Sequence, residues 1–222
     1  MTSITVLLAE DHQIVREGLR ALLKLEQDIQ VVGEAANGRD AVRLAASLCP
    51  DVVVMDIAMP LLNGLEAARQ ILGAAPATRL LVLSAHSDDA YVERVMELGA
   101  AGYLIKQTAA HILPLAIREI HRGNLFFSPA INKRLANHQT KPAAAGKKNP
   151  ANLTTREMEV LQLVAEGKAN KESADVLHIS IKTIEKHRQK VMEKLNIHDT
   201  ASLTRYAIAN GIIESSVQVT IL

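Results

Sequence analysis

Apolar residues in the first half of the chain come in short unbroken bursts. Thr5–Ala9, Val31–Ala35, Val52–Met55, Leu80–Ser84 and Gly102–Ile105 are rich in β-branched or aliphatic side chains and are bounded by polar, Gly or Pro residues, as strands are. Helical spacing fills the gaps. Val15, Leu19, Leu22 and Leu23 recur at i, i+4, i+7 and i+8, Ala41, Leu44, Ala45 and Leu48 at i, i+3, i+4 and i+7, and Ile112, Ala116 and Ile120 repeat by fours. The order is β then α, five times over. Strands that stay apolar on both faces need cover on both faces. The pattern therefore predicts a doubly wound α/β domain around a five-stranded parallel sheet.

The texture then changes. The stretch NHQTKPAAAGKKNPAN, Asn137 to Asn152, carries two Pro, one Gly and three Lys with no apolar period, and reads as a linker. Ser128-Pro129 just before it has the form of an N-cap followed by Pro at the first helical position, which predicts a short helix there. From Leu153 onward the pattern is helical. Thr154 to Glu157 fits a capping box, Gly167 ends that helix, and Asn170, Ser180 and Asp199 start three more. The expected division is 1–122 for the α/β domain, 123–152 for the connection and 153–222 for a small all-α domain of four helices.

Composition adds three points. Hydrophobic residues make up 48 % of the chain and aromatics 2 %, so the core is aliphatic. The one cysteine, Cys49, excludes an internal disulfide and, beside Pro50, is expected as a small buried hydrophobe. The N-terminus has no basic region and no apolar run is long enough for a bilayer, so a soluble cytoplasmic protein is expected. Charge is split along the chain. Residues 1–122 hold 11 Lys and Arg against 15 Asp and Glu, a net −4, and residues 123–222 hold 14 against 9, a net +5. The second half is the one suited to a polyanion.

The run VVVMDIAMP, Val52 to Pro60, ends a buried strand on the carboxylate of Asp56. Doubly wound sheets bind ligands beyond the carboxyl ends of their strands. Glu10 and Asp11 follow the first strand, Asp56 ends the third, Ser84 the fourth, and Lys106 follows the fifth. Crowded carboxylates repel one another, and a hard divalent cation relieves that repulsion. Oxygen ligands with room for water and phosphate suit Mg²⁺. Asp56 is the central candidate nucleophile, its product an acyl phosphate. Lys106 offers a second positive charge and Ser84 a hydrogen bond to the new oxygens. Two plainer readings stand beside this one. Each residue caps the following helix, which suits any one of them but not Lys106; or the acids hold a metal with no phosphoryl chemistry.

In the helical half, Asn170 to Leu195 reads as helix, tight turn, helix. Ile184, Val191 and Leu195 make an inward stripe, while Lys182, Lys186, Gln189 and Glu193 make an outward one that begins near the helix N-terminus. A recognition helix presents such a stripe to DNA, early residues toward base edges and flanking cations toward phosphates. Lys186 and Gln189 have the donors to read bases, Glu185 can accept from a cytosine amino group, and Lys171, Thr183 and Lys190 suit phosphates. The plainer reading is a solvated helix face.

The segments LLAEDH, VVMDIAMPLLNG, LVLSAH and GYLIK together resemble the receiver domain of bacterial two-component response regulators over residues 4–121. Residues 153–208 resemble the LuxR-type helix-turn-helix, and the pair resembles the NarL/FixJ class. The resemblance implies a flavodoxin-like receiver in which Asp56 takes a phosphoryl group from a sensor histidine kinase. It implies an Mg²⁺ site of Glu10, Asp11, Asp56 and the backbone carbonyl of Ala58, with Ser84 and Lys106 sensing the phosphoryl group. Tyr103 matches the switch aromatic that turns inward; alone it reads as a half-exposed strand tyrosine. A homodimer on promoter DNA is implied, with Leu203, Tyr206 and Ala207 of the last helix, about Thr200–Asn210, as an exposed contact. Three departures stand out: Glu10 where many members have Asp, Gln107 after the lysine with no Pro shortly beyond it, and Ser173 at a position usually apolar. The competing enzyme, an Mg²⁺-dependent phosphatase, usually carries a second acid two residues after its nucleophile, where this chain has Ala58. The intact cluster also argues against a DNA-binding protein with a silent receiver. A non-enzymatic transcription regulator is the expectation.

Overall fold

The computed structural model describes residues 3–85, 89–128, 131 and 153–213, and divides into two compact units, Met1–Gly146 and Lys147–Leu222. In the first, β1 (Ile4–Ala9), α1 (Gln13–Lys24), β2 (Ile29–Ala35), α2 (Gly38–Leu48), β3 (Val52–Asp56), α3 (Gly64–Ala74), β4 (Arg79–Ser84), α4 (Asp89–Glu97), β5 (Gly102–Ile105), α5 (Lys106–His121) and β6 (Phe126–Phe127) follow in order. The strands pair in the order β2-β1-β3-β4-β5-β6, all parallel.

Strand residues alternate between two aliphatic cores, as a period of two requires. Leu7, Val53, Met55, Val82 and Tyr103 pack with Ala41, Ala45, Ala67, Ile71, Val92 and Val95 from α2, α3 and α4. Val6, Leu8, Val52, Val54, Leu81 and Leu83 pack with Leu23, Leu113, Ala116, Ile117 and Ile120 from α1 and α5. This is the doubly wound arrangement the apolar bursts predict. Strand β3 lies at the centre with all five residues buried.

The sheet has one strand more than the pattern predicts. Phe126 and Phe127 pair with Gly102 and Tyr103, and the Ser128 N–H donates to the Tyr103 carbonyl at 3.0 Å. Two residues are too few to leave a periodic signal, so the sequence places them in the connection. Ile131 is fully buried in the same core as Tyr103. Pro129 and the linker Asn137–Asn152 lie outside the described residues. Cys49 corrects another expectation: it is exposed. It ends α2 with φ 45°, a left-handed turn that carries the side chain off the helix and away from the core.

The second unit holds α6 (Thr155–Ala165), α7 (Asn170–Leu177), α8 (Ile181–Leu195) and α9 (Thr200–Ala209). Its start and stop signals act as read. Thr154 and Glu157 form a capping box, Gly167 turns the chain with φ 81°, and Ser180 and Asp199 cap α8 and α9. Val160, Leu161, Leu163, Ala174, Leu177, Ile184 and Val191 form the buried centre. Leu203 and Ala207 join it at 0 % exposure, because α9 packs that face against α6. The expectation of an exposed contact through these two residues is therefore wrong; Tyr206 is half-buried. Among the described residues, no helix is long and apolar enough to cross a membrane.

Ser173 is fully buried and its hydroxyl has no hydrogen-bond partner among the described residues. A hydroxyl thus occupies a place built for a hydrocarbon. Ser173→Ala keeps the Cβ and removes the unpaired group, so it should stabilise the protein by about 1 kcal/mol. Urea unfolding checks this; a midpoint that stays or falls would show that the hydroxyl is paired.

Candidate functional site

Strand register brings the candidate groups to one edge. Ala9 stands opposite Met55, so Glu10 follows β1 at the level of Asp56. Asp56 stands opposite Leu83, and Ser84 opposite Ile105, the residue before Lys106. Beyond Asp56 the chain folds back at once. The Gly64 N–H donates to the Ile57 carbonyl at 2.7 Å, and Leu61 takes φ 66°, a conformation a branched residue adopts under strain. A Cβ on Gly64 would lie 2.0 Å from the Asp56 carbonyl oxygen, so only glycine allows this close return. Asn63 then caps α3 by accepting from the Glu66 N–H.

Glu10, Asp56 and Ser84 are all at most 3 % exposed. Lys106 Nζ lies 2.8 Å from Glu10 Oε2 and 2.8 Å from Asp56 Oδ2, and donates to Glu10 Oε1 at 3.1 Å. Burial pushes the Asp56 carboxyl up to about 6; Lys106 opposes this, and Glu10 and Asp11 add to it. Burial works against the charged form of Lys106 too, but Asp56 and Glu10 outweigh it and raise its affinity for a proton. Among the described residues, Glu10 Oε2, Asp11 Oδ1 and Asp56 Oδ2 are buried and lack an aligned hydrogen-bond donor, although Lys106 Nζ and His12 Nδ1 stand 2.8 Å from them as ion-pair partners. Buried oxygens in this state are what a cation satisfies. Ligand atoms of Glu10, Asp11, His12 and Asp56 all lie within 4.8 Å of one another, so the residues fit a hard divalent cation.

His12 is the member that sequence reading missed, although it directly follows the acidic pair. Its Nδ1 lies 2.8 Å from Asp11 Oδ1 and 3.2 Å from Glu10 Oε1. The Asp11 carboxylate raises the ring's pKa, burial opposes it, and Glu10 assists. Arg16 Nη1 donates to the Glu10 carbonyl at 2.6 Å and so holds the backbone of the pair. Ala58 is half-buried two residues after Asp56. Tyr103 is fully buried, in place of the half-exposed strand tyrosine that the residue alone would suggest.

In the helical unit, Lys182, Lys186, Gln189 and Glu193 are exposed along one side of α8, while Ile184 and Val191 are buried and Leu195 is half-buried on the other. Lys171, Glu185 and Lys190 are exposed as well. Thr183 is tied into the helix start, its Oγ1 2.8 Å from Ser180 Oγ. The Gln189 amide donates to Glu193 Oε1 at 2.9 Å, an exposed pair that can open toward another acceptor. Arg188, which sequence reading passed over, braces the helix: it donates to Asn170 Oδ1 at 3.2 Å and Thr200 Oγ1 at 2.6 Å.

Comparison with known proteins agrees with both halves. Residues 6–118 match the response regulator receiver domain, and residues 151–207 match the bacterial regulatory proteins of the luxR family. The transcriptional regulatory protein DegU of Brevibacillus brevis is 34 % identical over 222 residues, covering 94 % of each chain. The response regulator protein VraR of Staphylococcus aureus is 35 % identical over 212 residues, covering 96 % of this chain and all of that one. Among solved structures, the RcsB response regulator of Salmonella typhimurium is 29 % identical with a TM-score of 0.58, covering 94 % of this chain and 100 % of the other. RcsB has also been solved as a complex with DNA, at 28 % identity and a TM-score of 0.57, covering 92 % of this chain and 98 % of that one. Receiver, connection and helix-turn-helix thus follow one another here as in these relatives, and the chain belongs to the two-component response regulators of the NarL/FixJ class, DNA-binding regulators of transcription rather than enzymes.

Proposed function

We propose that Asp56 accepts a phosphoryl group from a sensor histidine kinase and that this controls binding of promoter DNA through α8. The observation that carries the reading is the Asp56 carboxylate, buried at a strand end between two acids and one ammonium. With a pKa of about 6, it is mostly ionised at neutral pH and serves as a nucleophile. Its oxygen bonds to phosphorus as the bond from phosphorus to the donor's imidazole nitrogen breaks, and the imidazole leaves with the electron pair. Glu10, Asp11, Asp56 and the Ala58 carbonyl would hold Mg²⁺, which when bound would neutralise charge on the incoming group. Lys106 pairs with a phosphoryl oxygen in place of the carboxylate it now faces, and the Ser84 hydroxyl donates to another. Tyr103 follows Ser84, and the receiver shifts between two states.

On the DNA side, Lys186 and Gln189 read base edges, Glu185 accepts from cytosine, and Lys171, Lys182, Thr183 and Lys190 meet phosphates. Two copies bind two half-sites; RcsB, a relative, has been solved as dimers bound to DNA. Because Leu203 and Ala207 are buried inside the helical unit, the copies pair without these two residues. The protein acts in the cytoplasm, where the kinase and the chromosome meet.

Three outcomes test this. A small phosphodonor with divalent cation should leave one hydroxylamine-labile phosphate on wild type and none on Asp56→Asn; equal labelling would put the acceptor elsewhere. Lys186→Ala and Gln189→Ala should each weaken binding to a site selected from random DNA by roughly 1–3 kcal/mol; an unchanged site preference would move the reading residues off this stripe. The third outcome concerns stability without divalent cation. The folded protein holds the Asp56 proton to about pH 6, against an ordinary value of 3.8. It therefore binds that proton more tightly than the unfolded chain does. This contribution is complete below about pH 4 and is lost as pH rises through 6. At neutral pH in chelator, Asp56→Asn should be more stable than wild type by roughly 1–3 kcal/mol, since Glu10 still pairs Lys106. A less stable variant would mean that the Asp56–Lys106 attraction outweighs burial.

A further inference from the structure

We infer that Arg16 is a positioning residue of the acidic site: its guanidinium fixes the backbone of Glu10 and Asp11 and so sets where those two carboxylates stand. The inference rests on the reading that the cluster holds Mg²⁺ for phosphoryl transfer to Asp56. It adds a residue that acts through the acids and touches neither the ion nor the phosphoryl group.

The need for such a residue follows from where the strands stop. The parallel ladder of β1 and β2 ends at the pair Ala9 and Ala35. The Glu10 N–H still reaches the Ala35 carbonyl at 3.0 Å, but the Glu10 carbonyl lies beyond the ladder. A backbone carbonyl next to buried acids needs a donor. Arg16, in the first turn of α1, supplies it: Nη1 donates to the Glu10 carbonyl at 2.6 Å and to the Asp11 carbonyl at 3.4 Å. Glu10 is thereby pinned on both sides, its N–H to β2 and its carbonyl to α1.

The arginine is itself held. Its Nε lies 3.5 Å from Glu34 Oε2 on β2, and Arg20 Nη1 lies 3.3 Å from the other oxygen, Glu34 Oε1. A guanidinium carries its donors in one rigid plane, so fixing Nε on β2 fixes where Nη1 reaches. The Arg16 side chain is 17 % exposed and largely enclosed, whereas that of Arg20 is 54 % exposed.

Its charge is placed so that it does not compete with a cation. Lys106 points its ammonium at carboxylate oxygens of the cluster. Arg16 points at backbone carbonyls instead, and the carboxylate it pairs with, Glu34, lies outside the cluster. It orders the two acids without occupying their oxygens. Mg²⁺ demands near-ideal geometry from its ligands, so a group that holds two of them in place acts on affinity, as outer partners of metal ligands do.

Calorimetric titration of the full-length chain with Mg²⁺ reads this apart from phosphoryl transfer. Arg16→Gln should weaken Mg²⁺ binding roughly tenfold. Arg16→Lys keeps the charge and one donor, so its affinity should fall between the two. Arg20→Gln removes the outer partner of Glu34, leaves the carbonyls held, and should bind as wild type does. With a small phosphodonor, the Mg²⁺ concentration for half-maximal labelling of Asp56 should rise by the same factor in Arg16→Gln. The labelling rate at saturating Mg²⁺ should stay that of wild type, since the acids are loosened and not removed. Wild-type Mg²⁺ affinity in Arg16→Gln, or a fall in the saturated rate alone, would overturn the inference and leave the Asp56 reading standing. If Arg16→Gln does not fold, wild-type affinity in Arg16→Lys overturns it equally. No Mg²⁺ binding by the wild-type chain would overturn both.

Discussion

Lys106 is the group on which the receiver site depends. Three carboxylates near one another repel, and Glu10 and Asp56 lose hydration on burial. One ammonium within 2.8 Å of both Glu10 and Asp56 makes that arrangement tolerable without cancelling it: Asp56 still holds its proton more tightly than a free carboxylate. The site is stable enough to form and unsatisfied enough to welcome positive charge. The sheet produces it. A central position for β3 buries Asp56, parallel register sets Glu10 and Lys106 beside it, and Gly64 lets the chain return close against the Asp56 carbonyl.

The helical unit solves the opposite problem, which is to keep a charged face free. Residues on the inner side and the ends of α8 carry the structural work. Ile184 and Val191 fill the centre, Lys194 pairs with the buried Glu157 at 2.6 Å, and Arg188 reaches α7 and the start of α9. With these in place, the outward lysines stay exposed and Gln189 makes an exposed pair with Glu193. A rigid rod with an uncommitted polar side is what groove reading requires.

Much of this was legible in the residues because the deciding interactions are local. Capping residues announce their helices through short-range geometry, and Thr154, Ser180 and Asp199 each cap the helix they precede. Apolar bursts mark buried parallel strands because both faces must be covered, and the polar residue that follows each burst marks the open edge. What escaped depends on packing between distant segments. Phe126 and Phe127 become a strand only because β5 offers an unpaired edge. Leu203 and Ala207 have the same spacing whether they face solvent or α6. Cys49 was placed by its hydrophobicity, while the left-handed end of α2 decided its direction. His12 was passed over because its neighbours already explained the site.

The pairing of β6 has a mechanical side. Its two residues are stitched to β5 by the Phe126 N–H on the Ala101 carbonyl and the Ser128 N–H on the Tyr103 carbonyl, and Gly102 lets the strands close up where a Cβ would strike the Phe126 carbonyl at 2.4 Å. Strand β5 also bears Tyr103 and runs straight into Lys106. The backbone as far as Ser128 is therefore clamped to the same ribbon that leads into Lys106. Any slide of that ribbon therefore carries Phe126, Phe127 and Ser128 with it.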